Sequence, residues 1–349
     1  MSSIISTKDR HYPETSPKSF AIDSNIFSWN LIKQLKPNSV SAPLSIYYIL
    51  GILQLASKAN TKKQLTMILH REIAFDELIS IGKIITLSNL LIINNKIQIN
   101  KKFIDKISDI AYIKLADFAN KEVVVQTANK FIETNTRGLI NNVIKPEHID
   151  HLSMLVLINV IYFKSNWLYP FDKTLTKKLP FNNIETDMMT IAELFYYGET
   201  DSMQLVELPY EGNKFAMGFM LKKKFKSESR DMSKTLVQVS IPKFTQRSNI
   251  DLIPVLKKMG LTDIFDCEKA RLDDLSTKMY VSVMLHEAVV IVDEEGTEAA
   301  AVTVVVSRQM IAMPMVSPKP IIFNANRSFL YYIKHLESGM IIFMGDYQG

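Results

Sequence analysis

The sequence predicts a single α+β unit, and three observations carry that reading. Apolar residues recur at helical spacing through much of the first 65 positions. From Met279 onward nearly every segment reads as strand or loop. No internal repeat, low-complexity tract or Gly/Ser linker divides the 349 residues. A hydrophobic fraction of 47% with 22% charge suits one large core.

Taken in order, residues 1–19 are polar with two prolines and predict a poorly ordered lead, so the folded unit is expected over 20–349. Ile26, Phe27, Leu31 and Leu35 predict a helix that Asp23 or Ser24 caps and Pro37-Asn38 ends. Residues 41–65 read as a long buried helix with a second start at Asn60 or Thr61. Residues 87–93 and 121–125 are apolar runs of strand length. Residues 127–137 predict an amphipathic helix with Ala128, Phe131 and Ile132 on one face, closed at Gly138. Residues 155–163 are too uniformly apolar to alternate, which predicts a central strand buried on both faces. Short strands with a basic link fill 217–244, and Leu252, Val255, Leu256 and Met259 predict a helix over 250–265 that Gly260 stops.

Composition excludes several classes. The 41 basic and 36 acidic residues leave a net charge of +5, with LKKKFK (221–226) as the only dense basic run, and no nucleic-acid motif is present. Cys267 is the only cysteine, so an intramolecular disulfide is impossible. Its neighbours Asp266 and Glu268 oppose a thiolate nucleophile. Charges and prolines occupy the N-terminus where a signal peptide needs an apolar run. A cytoplasmic location is therefore expected, or a secreted one if the chain is a processed form. No apolar run reaches the length of a membrane span. Asn326-Arg327-Ser328 is a formal glycosylation sequon, discounted because a buried strand is expected there. A hydrolase has no G-x-S-x-G to rest on. His148 and His151 have helical spacing but no third ligand, and no metal or cofactor is implied.

One stretch stands apart. Read with a period of two, residues 297–307 place Thr297, Ala299, Ala301, Thr303, Val305 and Ser307 on one face. That face is small and uncharged, and Glu298 and Arg308 lie on the other. Such a segment can enter the middle of a sheet without burying a charge, although an ordinary buried strand reads the same way. Overlapping it, EEGTEAAAVT (294–303) resembles the hinge of the reactive-centre loop of an inhibitory serpin. Four further blocks resemble serpin segments in the same order: 155–171, VELPYEG (206–212), VSIPKF (239–244) and 323–347. The resemblance runs from about Ile26 to the end.

The resemblance implies a serpin fold with three β-sheets, about seven to nine helices and an exposed loop over 294–320. Its hinge falls on Glu294, Glu295, Gly296, Thr297, Glu298, Ala299, Ala300 and Ala301. Ser45, Asn159 and His286 match the serpin shutter, a polar cluster beneath the point where the main sheet opens. Ala42 replaces a usual serine there, and from its residues alone His286 also reads as a satisfied buried histidine. Trp167, Phe323 and Phe329 match the breach, where insertion begins, and Ser328 replaces a usual proline at that corner. The implied function is suicide inhibition of serine proteases by a non-enzymatic monomer. A non-inhibitory carrier or chaperone, or an inhibitor of cysteine proteases, is the alternative. Counting the family's fifteen positions from Gly296 places the cut at Met310-Ile311, which suits elastase-like or chymotrypsin-like proteases. Arg308-Gln309, suited to a trypsin-like enzyme, and Met313-Pro314 are the alternatives. The intervals 65–89 and 221–239 are short for the family, as in compact intracellular or virus-encoded members, and the first argues against control by a polysaccharide.

Overall fold

A computed structural model describes residues 17–82, 88–223, 229–297 and 319–349. Seven α-helices lie among them: α1 (Pro17–Ile32), α2 (Pro43–Ala56), α3 (Ala59–Leu69), α4 (Phe75–Gly82), α5 (Lys101–Ile107), α6 (Lys121–Asn135) and α7 (Leu252–Lys258). The strands are β1 (Val40–Ser41), β2 (Ser88–Asn94), β3 (Tyr112–Ala116), β4 (Leu155–Tyr162), β5 (Ser165–Asn166), β6 (Lys177–Phe181), β7 (Ile184–Glu199) and β8 (Met203–Pro209). They continue as β9 (Phe215–Lys222), β10 (Arg230–Pro242), β11 (Phe244–Asp251), β12 (Val281–Val292), β13 (Gly296–Thr297), β14 (Ile321–Asn324), β15 (Phe329–His335) and β16 (Ile341–Tyr347).

The strands form two hydrogen-bonded sheets. The main sheet runs β3-β2-β4-β12-β11, with β13 and β5 at one end. The larger sheet runs β1-β16-β15-β9-β8-β7-β10-β14, with β6 also on β7. It is two of the expected sheets joined along β7. The first residues of β7 pair with β6 and its last with β8, while β10 follows the other edge.

The core sits between the sheets and around α2, of whose fourteen residues all but Leu55 are buried. A second apolar layer covers the opposite face of the main sheet. There Val124, Ala128 and Ile132 of α6 pack on Leu90, Ile92, Val156, Ile158 and Val160. The main sheet is thus covered on both faces, as the uniformly apolar run at β4 requires.

Four local expectations are corrected. Residues 121–125 are helical rather than a strand. The β-branched valines favour extension, but the Asn120 side chain accepts from Val123 N, and Val124 joins the i, i+4, i+8 stripe of α6. Helix α1 starts at Pro17, where a missing N–H is harmless, so Asp23 and Ser24 are interior. Asp23 faces Arg71 at 3.4 Å, and the Ser24 hydroxyl donates to the Ala21 carbonyl. Of the helix expected over 250–265, only α7 is α-helical, with a 3-10 turn at Asp263–Phe265 after Gly260; Ile250 belongs to β11 and Asp251 supplies the cap. The sequon lies in the bend between β14 and β15 with Asn326 partly exposed, since β14 ends at Asn324. The closure at Gly138 is as expected: φ is +78° and its N–H reaches the Glu133 carbonyl at 2.8 Å.

Candidate functional site

The hinge begins as a tight turn built by one aspartate. Asp293 Oδ1 accepts from Glu295 N (2.9 Å) and Gly296 N (3.1 Å), and its own N–H donates to the Gly296 carbonyl (3.0 Å). The turn is bolted to the segment after β4. Trp167 N donates to the Glu295 carbonyl, Phe171 N to the Glu294 carbonyl and Trp167 Nε1 to the Asp293 carbonyl, all within 2.9 Å. Trp167 lies flat on Tyr210, with centroids 4.6 Å apart and ring planes 7° apart.

The two hinge glutamates among the described residues have different partners. Glu294 is buried and accepts from Lys243 Nζ (2.8 Å) and Thr176 Oγ1 (2.9 Å). Burial pushes its carboxyl up, but these hydrogen bonds outweigh it and hold the group below the ordinary range. Glu295 pairs with Lys173 at 2.5 Å, and that bond raises the lysine.

Gly296 has no room for a side chain, because a Cβ there would fall 2.3 Å from the Ser165 carbonyl oxygen. Thr297 is buried with its hydroxyl 2.6 Å from that of Tyr210, which burial keeps protonated.

Register shows where this segment points. Val292 pairs with Phe244 of β11 on one edge and with Thr297 on the other. That other edge is the one β4 occupies as far as Val289. Strand β13 therefore sits at the head of the β4–β12 seam, wedged between β12 and β5 and antiparallel to both. Below it β4 and β12 pair directly, in parallel, from Leu155 and Val281 onward.

The polar cluster sits across this seam. Asn159 of β4 donates through Nδ2 to Ser45 Oγ and Asn89 Oδ1, and its Oδ1 lies 2.5 Å from His286 Nδ1. The other ring nitrogen, Nε2, accepts the N–H of Ala42 at 2.9 Å. That donor leaves the proton on Nδ1, so Nδ1–H donates to Asn159. Burial pushes His286 down to about 3. Asn89 belongs to the cluster and escaped sequence reading, although a polar residue inside the apolar run 87–93 is a visible signal. Its Nδ2 has no partner among the described residues.

The remaining expected residues are dispersed. Phe323 is buried on β14, and Phe329 packs with Phe181, Phe219, Phe244, Tyr331 and Tyr347, whereas the rings around Trp167 are Tyr210 and Phe171. Ser328 is tied down by Asn182, whose Nδ2 donates to Ser328 Oγ (3.0 Å) and to the Gln348 carbonyl (2.8 Å). Glu298, Ala299, Ala300 and Ala301, and the bond candidates Arg308, Gln309, Met310, Ile311, Met313 and Pro314, lie outside the described residues.

A family model described as "Serpin (serine protease inhibitor)" matches residues 23–348. The chain belongs to the serpin family. An uncharacterized serpin-like protein of Acanthamoeba polyphaga mimivirus is 35% identical over 340 residues, covering 89% of this chain and 84% of that protein. Human glia-derived nexin is 29% identical over 390 aligned positions, covering 96% and 94%. Among solved structures, native protease nexin-1 with heparin superposes with a TM-score of 0.84 at 26% identity, covering 96% of this serpin and 100% of that chain. Native tengpin, a thermophilic serpin, has the same fold with a TM-score of 0.84 at 24% identity, covering 98% and 96%. Conformational change and metastability are general features of this family of protease inhibitors, some of whose members are non-inhibitory.

Proposed function

We propose that this serpin traps serine proteases as a suicide substrate, with Met310-Ile311 as the bond attacked. One observation carries the reading: β13 stands at the open end of a seam whose two strands are paired to each other below it. Extending β13 in the same register, two residues at a time, sets Ala299 opposite Val290, Ala301 opposite Ala288 and Thr303 opposite His286. Directly opposed residues share a face, so the small uncharged face of the loop meets the face of β12 that looks into the main core. Parting β4 from β12 breaks the Asn159–His286 bond, and Thr303 brings a hydroxyl to the same imidazole. The cluster is re-paired rather than orphaned.

About twelve new backbone pairings at roughly 1 kcal/mol each, with added burial, supply a drop on the order of ten kcal/mol. Cleavage forms the acyl-enzyme and frees the loop; insertion then drags the tethered protease and distorts its active site before water releases it. Methionine suits an elastase-like or chymotrypsin-like pocket. Human leukocyte elastase inhibitor, 29% identical over 252 residues, supports that choice. Arg308-Gln309 provides the trypsin-like alternative.

Mixing the protein with elastase, chymotrypsin and trypsin is expected to give an SDS-stable adduct with the first or second. Mass spectrometry of the released C-terminal peptide is expected to begin it at Ile311. Clean cleavage with no adduct, and no rise in melting temperature after cleavage, marks a non-inhibitory member and overturns the reading. A Thr303→Val variant tests the re-pairing: it leaves the His286 Nδ1–H unpaired after insertion, a penalty of about 1–3 kcal/mol. The cleaved variant is expected to melt several degrees below the cleaved parent, with the uncleaved forms alike.

A further inference from the structure

One motif of the sequence has no role in the insertion mechanism. Asn326 is the only asparagine in the chain followed two positions later by serine or threonine, the spacing at which an asparagine accepts a sugar. Ser328, which completes it, stands where serpins usually carry proline, so the motif belongs to this chain and not to the fold. The structure places it on a short surface arc between two anchors. Ala325 and Phe329 are buried on either side. Ala325 N donates to the Ser240 carbonyl at 2.9 Å, and Asn182 N to the Asn326 carbonyl at 3.1 Å. Between the anchors Asn326 is half-buried and Ser328 exposed. The backbone is held, and the two side chains that the chemistry needs are reachable.

Hydrogen bonding decides which amide atom is free. Arg327 Nη1 lies 3.2 Å from Asn326 Oδ1. A guanidinium only donates, so the atom facing it is the amide oxygen. Nη2 of the same guanidinium donates to the Lys222 carbonyl. Asn326 Nδ2 therefore donates to nothing among the described residues. Elsewhere Nδ2 is engaged: that of Asn129, Asn135 and Asn182 donates to a backbone carbonyl. Ser328 Oγ accepts from Asn182 Nδ2 at 3.0 Å, and its own hydrogen is unspent among the described residues.

We infer that Asn326 is an N-glycosylation site of the folded protein, taking its sugar from a donor whose anomeric carbon, C1, is esterified to a diphosphate. Nδ2 attacks C1, and the N–C1 bond forms as the C1–O bond breaks. The diphosphate leaves with that electron pair, and one Nδ2 proton passes to a base of the transferring enzyme. Nothing is oxidised or reduced. Oligosaccharides on a lipid diphosphate and hexoses on a nucleotide diphosphate share this chemistry. Only the half-exposed Arg327 contact has to yield for the amide to turn. The site stands apart from the inhibitor reading, because the partners of the arc are Asn182, Lys222 and Ser240, none of which holds the hinge or the polar cluster.

The test uses the folded full-length chain in two arms. One supplies a solubilised oligosaccharyltransferase with an oligosaccharide on a lipid diphosphate. The other supplies a soluble N-glycosyltransferase with a hexose on a nucleotide diphosphate. Mass spectrometry of the peptide spanning Asn326 is the readout. Sugar is expected on Asn326 and on no other asparagine. The addition is expected to be lost in Asn326→Gln and in Ser328→Ala, and kept in Ser328→Thr, which retains the hydroxyl. Melting temperatures check that each variant is folded. Addition in the first arm alone assigns the lipid-borne donor, and in the second alone the nucleotide-borne one. Asn326 unmodified in both arms, or modified only after the protein is unfolded by heat, overturns the site. Equal addition to the parent and to Ser328→Ala overturns it as well, by showing that the motif is not what is read.

Discussion

Thr297→Arg is expected to abolish stable adduct formation and leave the protein an ordinary substrate of the same protease. Thr297 opens the small face of the loop and is already buried, with its hydroxyl against Tyr210. Arginine there must place a guanidinium among Trp167, Tyr210 and the core or leave the sheet, and an unpaired buried charge costs several kcal/mol. Each 1.4 kcal/mol is tenfold in a partition between competing paths. The fraction of encounters ending in a trap, against those ending in simple hydrolysis, is therefore expected to fall a hundredfold or more. Because the substitution also disturbs the docked hinge before cleavage, Thr297→Val is the control. It removes the hydroxyl but keeps the volume, so trapping is expected to continue. The measurement is the ratio of SDS-stable adduct to cleaved inhibitor on a gel. Equal trapping by the arginine variant and the parent is the outcome that sinks the insertion mechanism.

The second large effect concerns two neighbours on β12 that face opposite ways. His286 points to the main core, and burial sets it at about 3 against an ordinary 6.5. Glu287 points to the layer beneath α6, only 3% exposed, with Oε1 unpartnered among the described residues; burial raises it to about 8 from 4.5. For His286 the folded value is depressed, so its contribution is fully present above 6.5 and fades as pH falls toward 3. For Glu287 the folded value is raised, so its contribution is fully present below 4.5 and fades as pH rises toward 8. Together they predict stability that rises from pH 3 to about 4.5, is nearly level to 6.5, and falls to 8. Each limb spans about 1.5 pH units and so has a size of about 2 kcal/mol.

Other carboxylates add limbs of their own, so the comparison is between variant and parent. Glu287→Gln is expected to raise the melting temperature by several degrees at pH 8 and to leave it unchanged at pH 4, in scans at one fixed rate. An alkaline limb identical in the two proteins would show that Glu287 is not its source.

Much of the fold was legible because its signals are local or repetitive. Helix α2 and strand β4 announce themselves by unbroken apolar runs, and α6 by its stripe ending at Gly138. The failures have equally local causes. KEVVV carries strand propensity but is overruled by the Asn120 cap and by the stripe it shares with Ala128 and Ile132. Helices α4 and α5 and the strand β3 were missed because they are short, eight, seven and five residues, too few for a period to declare itself. Asn326 was assigned to a strand because the chain resumes strand structure three residues later.

The sequence by itself determined that residues 297–307 offer a small, uncharged face and that a glycine precedes it. Ser45, Asn159 and His286, more than a hundred positions apart, could be grouped only through resemblance. What holds the hinge and the polar cluster was decided by tertiary structure alone. Lys243 and Thr176 take Glu294, Lys173 takes Glu295, Tyr210 takes Thr297, and Ala42 serves His286 through its backbone. The reason is physical. Periodicity and charge are properties of neighbours along the chain, whereas a hydrogen bond between distant residues depends on where two sheets and a helix bring their atoms. A backbone N–H, which every residue but proline carries, leaves no trace in the choice of amino acid.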